Sequence, residues 1–264
     1  MFKGKWTRLL GIALCALLAQ IAWPVAGSAP PLEDQWDALL KKYRGHATIN
    51  GIEASTVDYA KIAADPAWLK LLEALETAPE PSGDAARKAF WINAYNILAI
   101  KVVLTKYPVP GIKDVGSLLK PVWKQDAGMV AGKTRTLNDI EHEILRKMGD
   151  PRIHAAIVCA SLSCPDLRAE AFRAEKLDEQ LDDQLKLFLA NPAKGARFDD
   201  ASRVLYLSSI FDWFGEDFTK GGKSLQTALL KYLPREIAIK LSADTKIKFL
   251  DYDWSLNDSA RLKK

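Results

Sequence analysis

Apolar residues recur three and four positions apart in several segments of this chain, which is the spacing of one face of an α-helix. Residues 84–107 are apolar on most faces, so we expect a buried central helix there. Asp65 followed by Pro66 is a typical helix start. The predicted helices cover residues 34–43, 66–77, 84–107, 139–148, 176–190 and 225–241, the last with a break at Pro234.

Shorter apolar or alternating segments predict strands. The apolar run 153–159 follows Pro151 and indicates a buried strand, while the polar residues 48–58 indicate a loop. The other expected strands are a hairpin over 129–136 and the segments 203–207 and 246–252. Together these elements predict an α+β fold, rich in helix, with a small and mostly antiparallel sheet.

The N-terminal segment is typical of a secretory signal peptide. Lys3, Lys5 and Arg8 precede an apolar run over 9–22, and small residues follow it. The run is short for a transmembrane helix, so an uncleaved anchor is the less favoured alternative. We expect residues 1–29 to be removed. Residues 30–264 would then form a single domain, in the periplasm or secreted, with no stable membrane insertion after cleavage.

Removal of that segment changes the charge of the protein. The whole chain has a formal charge of +4, but three basic side chains and no acidic ones lie within residues 1–29. The remaining chain therefore carries a formal charge of only +1, and we expect no nucleic-acid partner.

The groups suited to nucleophilic or metal chemistry are concentrated between residues 137 and 165. This window holds two of the three histidines, His142 and His154, and both cysteines outside the N-terminal segment, Cys159 and Cys164. The third histidine, His46, lies in a polar early segment, and we assign it no role.

On the predicted helix 139–148, with Asn138 and Glu141 as its capping pair, His142 shares a face with Asp139 and Arg146. A carboxylate one turn away fixes the tautomer of an imidazole and makes it more basic, as a general base requires. The alternative is an ordinary histidine in a charged, solvated helix surface.

Cys164 is the better nucleophile candidate of the two cysteines. Pro165 at the first position of an expected helix makes Cys164 the predicted N-cap, where unpaired N–H groups and the helix dipole stabilise a thiolate. A strand, a turn and a cysteine at the start of a helix are how many thiol hydrolases present their nucleophile.

The leading hypothesis is therefore a thiol hydrolase or acyltransferase that needs no cofactor and acts on a peptide or amide substrate of the cell envelope. Cys164 would attack the acyl carbon, and His142 or His154 would act as the base. Asp139 or Glu141 would orient that histidine.

Two alternatives remain for the same groups. In an oxidising compartment, Cys159 and Cys164 can form a disulfide that leaves no free thiol. A zinc site built from both cysteines with His142 and His154 is less favoured, because the histidines lie upstream and twelve residues apart. We therefore expect no metal.

A second function class is a non-catalytic domain that binds a peptide or glycan. The segment 210–218 mixes aromatic and acidic residues, and Trp213 could line a groove for such a ligand. Asn93 and Asn96 lie within the apolar central helix. They would position substrate or, as buried amides commonly do, hydrogen-bond inside the core.

Taken together, several of these segments resemble the family called domain of unknown function 547. The resemblance extends from the central helix to the C-terminal strand and implies one secreted or envelope domain, but it brings no established activity. The matching segments are 90–96 (FWINAYN), 137–142 (LNDIEH), 152–154 (RIH), 159–165 (CASLSCP), 210–218 (IFDWFGEDF) and 252–254 (YDW).

Overall fold

The computed structural model describes Met1 and residues 29–263. Contacts divide the chain into two units, Met1–Pro30 and Pro31–Lys264. The predicted signal segment lies, except for its two ends, outside the described residues. Within residues 29–263, no helix combines the length and the apolar character needed to cross a bilayer.

Among the described residues, helices predominate and the strands form three small sheets. The α-helices are α1 Leu32–Tyr43, α2 Tyr59–Ala64, α3 Pro66–Thr77, α4 Asp84–Leu104, α5 Ile153–Ala156, α6 Leu177–Ala190, α7 Ile210–Trp213, α8 Gly215–Phe218, α9 Leu225–Leu229 and α10 Arg235–Ala238. The strands are β1 Arg44–Ile49, β2 Ile52–Val57, β3 Asp126–Val130, β4 Lys133–Thr136, β5 Ala196–Asp199, β6 Val204–Ser208 and β7 Lys246–Leu250. A π-helix covers Asp139–Leu145, and 3₁₀ turns cover Ile112–Val115, Val122–Lys124, Arg146–Met148, Ala174–Lys176 and Ser259–Lys263.

This architecture confirms the predicted α+β class. The single small sheet of the prediction is instead three, because each hairpin pairs locally: β1 with β2, β3 with β4, and β5 with β6, all antiparallel. The parallel strand β7 completes the third sheet beside β6.

The predicted central helix is present as α4. Its residues from Ala89 to Ile100 are all buried, as are Val102 and Val103. It packs against β3 and against the π-helix that carries the first of the candidate histidines. A second apolar cluster surrounds β5, β6 and the helices that follow them. The site described below lies where both clusters meet the end of the chain.

Residues 44–57 correct the prediction of a loop. They form the β1–β2 hairpin, whose two-residue turn is Asn50 and Gly51, both with positive φ (53° and 77°). Asn-Gly is the preferred sequence for such a turn, because both central residues need positive φ and glycine adopts it without strain. The polar residues on both sides of Asn50-Gly51 led to the prediction of a loop instead of two strands.

The predicted strand 153–159 is wrong. Its first four residues form the short helix α5, and residues 157–159 continue in an extended conformation outside any sheet. The reason lies just upstream. Asp150 accepts a hydrogen bond from the Arg152 amide through its carboxylate, and Pro151 follows it, a combination that starts helical turns.

The predicted helix after Pro165 is also absent. Tertiary contacts hold the segment extended instead: Asp166 accepts a hydrogen bond from the Ser55 amide (2.6 Å), and the Leu167 amide donates to the Ser55 hydroxyl (2.7 Å). Cys164 is therefore not a helix N-cap, and the dipole expected from a helix after Pro165 is absent.

The predicted helix 139–148 is a π-helix followed by a 3₁₀ turn, and its cap is not Asn138. Asn138 already has helical backbone angles and no capping hydrogen bond. The capping box is formed by Thr136 and Asp139: the Thr136 amide donates to the Asp139 carboxylate (3.1 Å), and the Asp139 amide donates to the Thr136 hydroxyl (3.0 Å).

Candidate functional site

A cavity of about 240 Å³ brings together the chemical groups of the 137–165 window. Glu141 and His142 reach it from the π-helix, His154 from α5, and the sulfurs of Cys159 and Cys164 from the segment that follows α5. Two imidazoles, a carboxyl group and two sulfurs therefore line one cavity.

His154 is held in place by a residue from far along the chain. Its Nε2 lies 2.9 Å from Oδ2 of Asp217 in α8. The ring of Phe214 stacks on the imidazole, with centroids 4.1 Å apart and planes 16° apart. A carboxylate on one ring nitrogen fixes the tautomer, so Nε2 carries the proton and Nδ1 is the free base.

Asp217 is the most heavily bonded carboxylate of the site. Besides His154, it accepts from Arg146 Nε (2.6 Å) and lies 3.0 Å from Lys220 Nζ. Burial opposes its ionisation, but the hydrogen bonds from Arg146, His154 and Lys220 outweigh burial and lower its pKa below the usual range. Asp217 is therefore ionised at all working pH values.

Burial lowers the pKa of His154 to about 4, although the hydrogen bond to Asp217 acts in the opposite direction. The negative charge of Asp217 is already shared with Arg146 and Lys220, so it stabilises an imidazolium only weakly. His154 is consequently neutral near pH 7, with Nδ1 available to accept a proton.

Glu141 faces that nitrogen. Its Oε1 lies 4.0 Å from His154 Nδ1, and its Oε2 accepts a hydrogen bond from the hydroxyl of Tyr95 (3.2 Å). Burial raises the pKa of Glu141 to about 7, and the opposing effects of Tyr95 and Arg146 are smaller. A carboxyl group that exchanges its proton near neutral pH is suited to general acid–base catalysis.

His142 contacts Arg146, one of the two predicted neighbours on its helix face. Arg146 donates from Nη1 to His142 Nδ1 (3.0 Å), which leaves Nε2 as the protonated nitrogen. Burial lowers the pKa of His142, and the positive charge of Arg146 lowers it further. The ring is therefore neutral and acts as a hydrogen-bond donor through Nε2. Asp139, a predicted orienting residue, does not line the cavity, because it caps the π-helix.

Cys159 and Cys164 form a disulfide, the alternative that the sequence left open. The backbone amide of Cys159 (3.0 Å) and the hydroxyl of Tyr252 (3.1 Å) donate to the Cys164 sulfur, and the hydroxyl of Ser161 lies farther from it, at 3.7 Å. The Cys159 sulfur lies 2.8 Å from the hydroxyl of Ser161. Both sulfurs are buried at the cavity wall.

Aromatic side chains, mainly from the C-terminal part of the chain, form the aromatic wall of the cavity. Trp213 stacks on Trp254 with ring centroids 5.6 Å apart, and Tyr252 lies 4.4 Å from Trp254. Trp123 meets Trp254 edge to face at 5.6 Å. Trp213 is 44% exposed and therefore stands at the cavity mouth, where a ligand would first meet it.

Asn93 and Asn96, the other predicted substrate-binding residues, do not line the cavity. Asn93 pairs with the backbone of Phe172 through both its amide atoms (2.8 and 2.9 Å). Asn96 donates to the Ala156 carbonyl (3.0 Å) and accepts from the Val158 amide (2.8 Å). Both act within the core, and Asn96 fixes the segment that joins His154 to Cys159.

Asp217 and Tyr95 were given no role in the site by the sequence argument, and the contact of Tyr252 with the Cys164 sulfur was not expected. Asp217 lies in the aromatic and acidic run 210–218, but nothing in that run distinguishes it from Asp212 or Glu216. In the described part of the chain, no group of three or more His, Cys, Asp or Glu side chains is arranged to hold a metal ion.

Comparison with known proteins covers only some of the residues of this site. No curated protein and no solved structure matches the chain. The matching span of the family model, residues 80–189, contains both cavity histidines, Glu141 and the disulfide. It ends before Asp217 and before Trp213, Tyr252 and Trp254 of the aromatic wall. Over residues 80–189 this chain matches the family described as "Protein of unknown function, DUF547".

Proposed function

We propose that the cavity is the active site of a thiol hydrolase or acyltransferase that acts on a peptide or amide substrate of the envelope, in the periplasm or outside the cell. One observation carries the proposal: the Cys164 sulfur shares a cavity with a neutral, carboxylate-held imidazole and with a carboxyl group of pKa about 7. Nucleophile, base and acid are the parts that acyl transfer requires.

The disulfide is the resting form of this site. A dithiol reductant would supply two electrons and two protons and convert Cys159 and Cys164 to thiols. The released Cys164 sulfur keeps its two donors, the Cys159 amide and the Tyr252 hydroxyl, which stabilise a thiolate by hydrogen bonding.

In the reaction, His154 Nδ1 accepts the thiol proton while the Cys164 sulfur bonds to the carbonyl carbon. The C–N bond of the amide then breaks, and the leaving amine takes a proton from Glu141 or from the imidazolium. Water, or an acceptor amine in a transferase, attacks the thioester and regenerates the thiol. His142, as an N–H donor, is suited to stabilise the developing oxyanion.

A second candidate is a non-catalytic domain that binds a peptide or glycan. The disulfide and the aromatic wall of Trp213, Tyr252 and Trp254 favour it, because stacked rings at a cavity mouth are suited to such ligands. In that case the disulfide only cross-links the segment 159–164, and its sulfurs take part in no reaction.

The two candidates differ in the reactivity of Cys164. In Cys159→Ser no disulfide can form, whereas the backbone amide at 159 and the Tyr252 hydroxyl remain as donors to the Cys164 sulfur. We expect iodoacetamide to alkylate Cys164 of the folded variant at pH 7 at least about tenfold faster than it alkylates the same chain in urea. Peptide mapping separates this thiol from Cys15.

Cys164→Ser is the matched control, since it frees Cys159 in the same cavity. The Cys159 sulfur has the Ser161 and Tyr252 hydroxyls beside it (2.8 and 3.4 Å) but lacks the backbone amide that donates to the Cys164 sulfur. In Cys164→Ser the Cys159 thiol should react more slowly than Cys164 does in Cys159→Ser. Equal rates in the two variants, or a Cys164 that reacts no faster folded than unfolded, would contradict the thiol enzyme and leave the binding domain.

A further inference from the structure

Two leucines occupy the tip of an exposed turn. Leu118 and Leu119 are 102% and 99% exposed, so neither contributes to the core. Ser117 and Lys120 close the turn: the Ser117 amide donates to the Lys120 carbonyl (3.0 Å), and the Lys120 amide donates to the Ser117 hydroxyl (3.1 Å). Central turn positions usually carry Gly, Pro, Asn or Asp, so two leucines there need another explanation.

The turn is held away from the body of the protein. The chain enters and leaves the turn at closely spaced points. A Cβ added to Gly116 would lie only 2.5 Å from the Val122 amide nitrogen, so a larger residue at 116 would clash there. Gln125 braces the turn by donating from Nε2 to the Lys120 carbonyl (2.8 Å). The leucines are therefore presented to solvent by a closed and braced protrusion.

Cationic side chains flank the leucine tip. Lys120 and Lys124 are exposed beside it, and residues 115–125 contain no acidic side chain, so this segment has a net positive charge. This pattern of an apolar tip with basic flanks is what an anionic lipid surface attracts: the apolar side chains enter the acyl boundary and the cations meet the headgroups.

We propose that the Leu118–Leu119 turn docks the protein onto an anionic lipid surface. A protein partner is less suited to this feature, because a stable protein interface buries about 800 Å² on each side, far more than a four-residue turn offers. Trp123, at the base of the turn, also lines the cavity, so docking would hold the cavity close to the membrane.

Amide hydrogen exchange of residues 116–122 tests membrane docking directly, since it reports on the turn itself and not on the N-terminal apolar segment. The probe is full-chain protein with vesicles of phosphatidylcholine containing phosphatidylglycerol, compared with phosphatidylcholine vesicles alone. Exchange in 116–122 should slow several-fold on the anionic vesicles and much less on the neutral ones.

Leu118→Asp/Leu119→Asp should lose this protection, because burial of two leucines favours binding by at least about tenfold. Leu69→Asp/Ile239→Asp, which changes exposed apolar residues elsewhere, should keep it. Unchanged exchange of 116–122 on vesicles would overturn the proposal, even if the protein floats with them. Protection that appears without vesicles and disappears on dilution would also overturn it, in favour of an interface between copies of the chain.

Discussion

Burial affects two neighbouring ionisable side chains of the cavity in opposite directions. It raises the pKa of Glu141 to about 7 and lowers the pKa of His154 to about 4, and both groups are thereby neutral over much of the acidic range. The sequence places both residues in the same window, but it cannot give these values. They depend on the apolar surroundings and on Asp217, sixty-three residues after His154 in the chain.

The pKa shifts of Glu141 and His154 predict opposite changes of stability with pH. Between pH 4.5 and 7 the folded protein binds more protons than the unfolded chain at Glu141, so this group lowers stability as the pH rises. Between pH 4 and 6.5 the unfolded chain binds more protons at His154, so this group raises stability with pH. In the wild-type protein the two effects largely cancel between pH 4.5 and 6.5.

Glu141→Gln removes one of the two effects and keeps an acceptor for the Tyr95 hydroxyl. Its free energy of unfolding should therefore rise by up to about 3 kcal/mol from pH 4 to 6.5, and should exceed that of the wild type by a similar amount above pH 7. Urea unfolding at pH 4.5, 6 and 8 measures this. Glu143→Gln, which changes an exposed carboxylate in the same π-helix, should keep the wild-type profile. A Glu141→Gln profile parallel to that of the wild type would contradict the buried, protonated carboxyl group.

At the scale of elements, the long periodic segments were predictable and the short ones were not. The apolar periodicity of α4 and the Asp65–Pro66 start of α3 are strong local signals, and both elements are present. The segment after Pro151 shows the opposite case. Its apolar run indicates a strand, but the turn that Asp150 and Pro151 form just upstream leads into helix α5 instead.

The π-helix that carries Glu141 and His142 gives a test at this scale. Thr136→Ala removes one half of the capping box and should destabilise the protein by about 1 kcal/mol, whereas Asn138→Ala should stay within about 0.5 kcal/mol because Asn138 makes no capping bond. Thermal or urea unfolding of the two variants compares them. A larger loss for Asn138→Ala would mean that the helix begins where the sequence first indicated.

At the scale of the whole molecule, the end of the chain completes the site. Leu256 donates its amide to the Pro110 carbonyl (2.7 Å), and Asn257 donates to Ala160 (3.0 Å) and accepts at its carbonyl from Val57 (2.9 Å). These bonds join segments far apart in sequence and bring Tyr252 onto the Cys164 sulfur. No local pattern encodes such pairings. For this reason the sequence pointed to the histidines and cysteines of the site, but not to Asp217 beside His154 or to the contact of Tyr252 with the Cys164 sulfur.

Capture of an acyl group tests the central claim most directly. Cys159→Ser, folded at neutral pH, is exposed to p-nitrophenyl acetate, and the mass of the intact protein and of its peptides is measured. The account predicts that the Cys164 sulfur gains one acetyl group with release of p-nitrophenolate, faster than in the same variant unfolded in urea. If Cys164 gains no acetyl group and p-nitrophenolate release is also no faster than with Cys159→Ser/Cys164→Ser, the account is contradicted. Equal rates in the folded and unfolded chains would contradict it too.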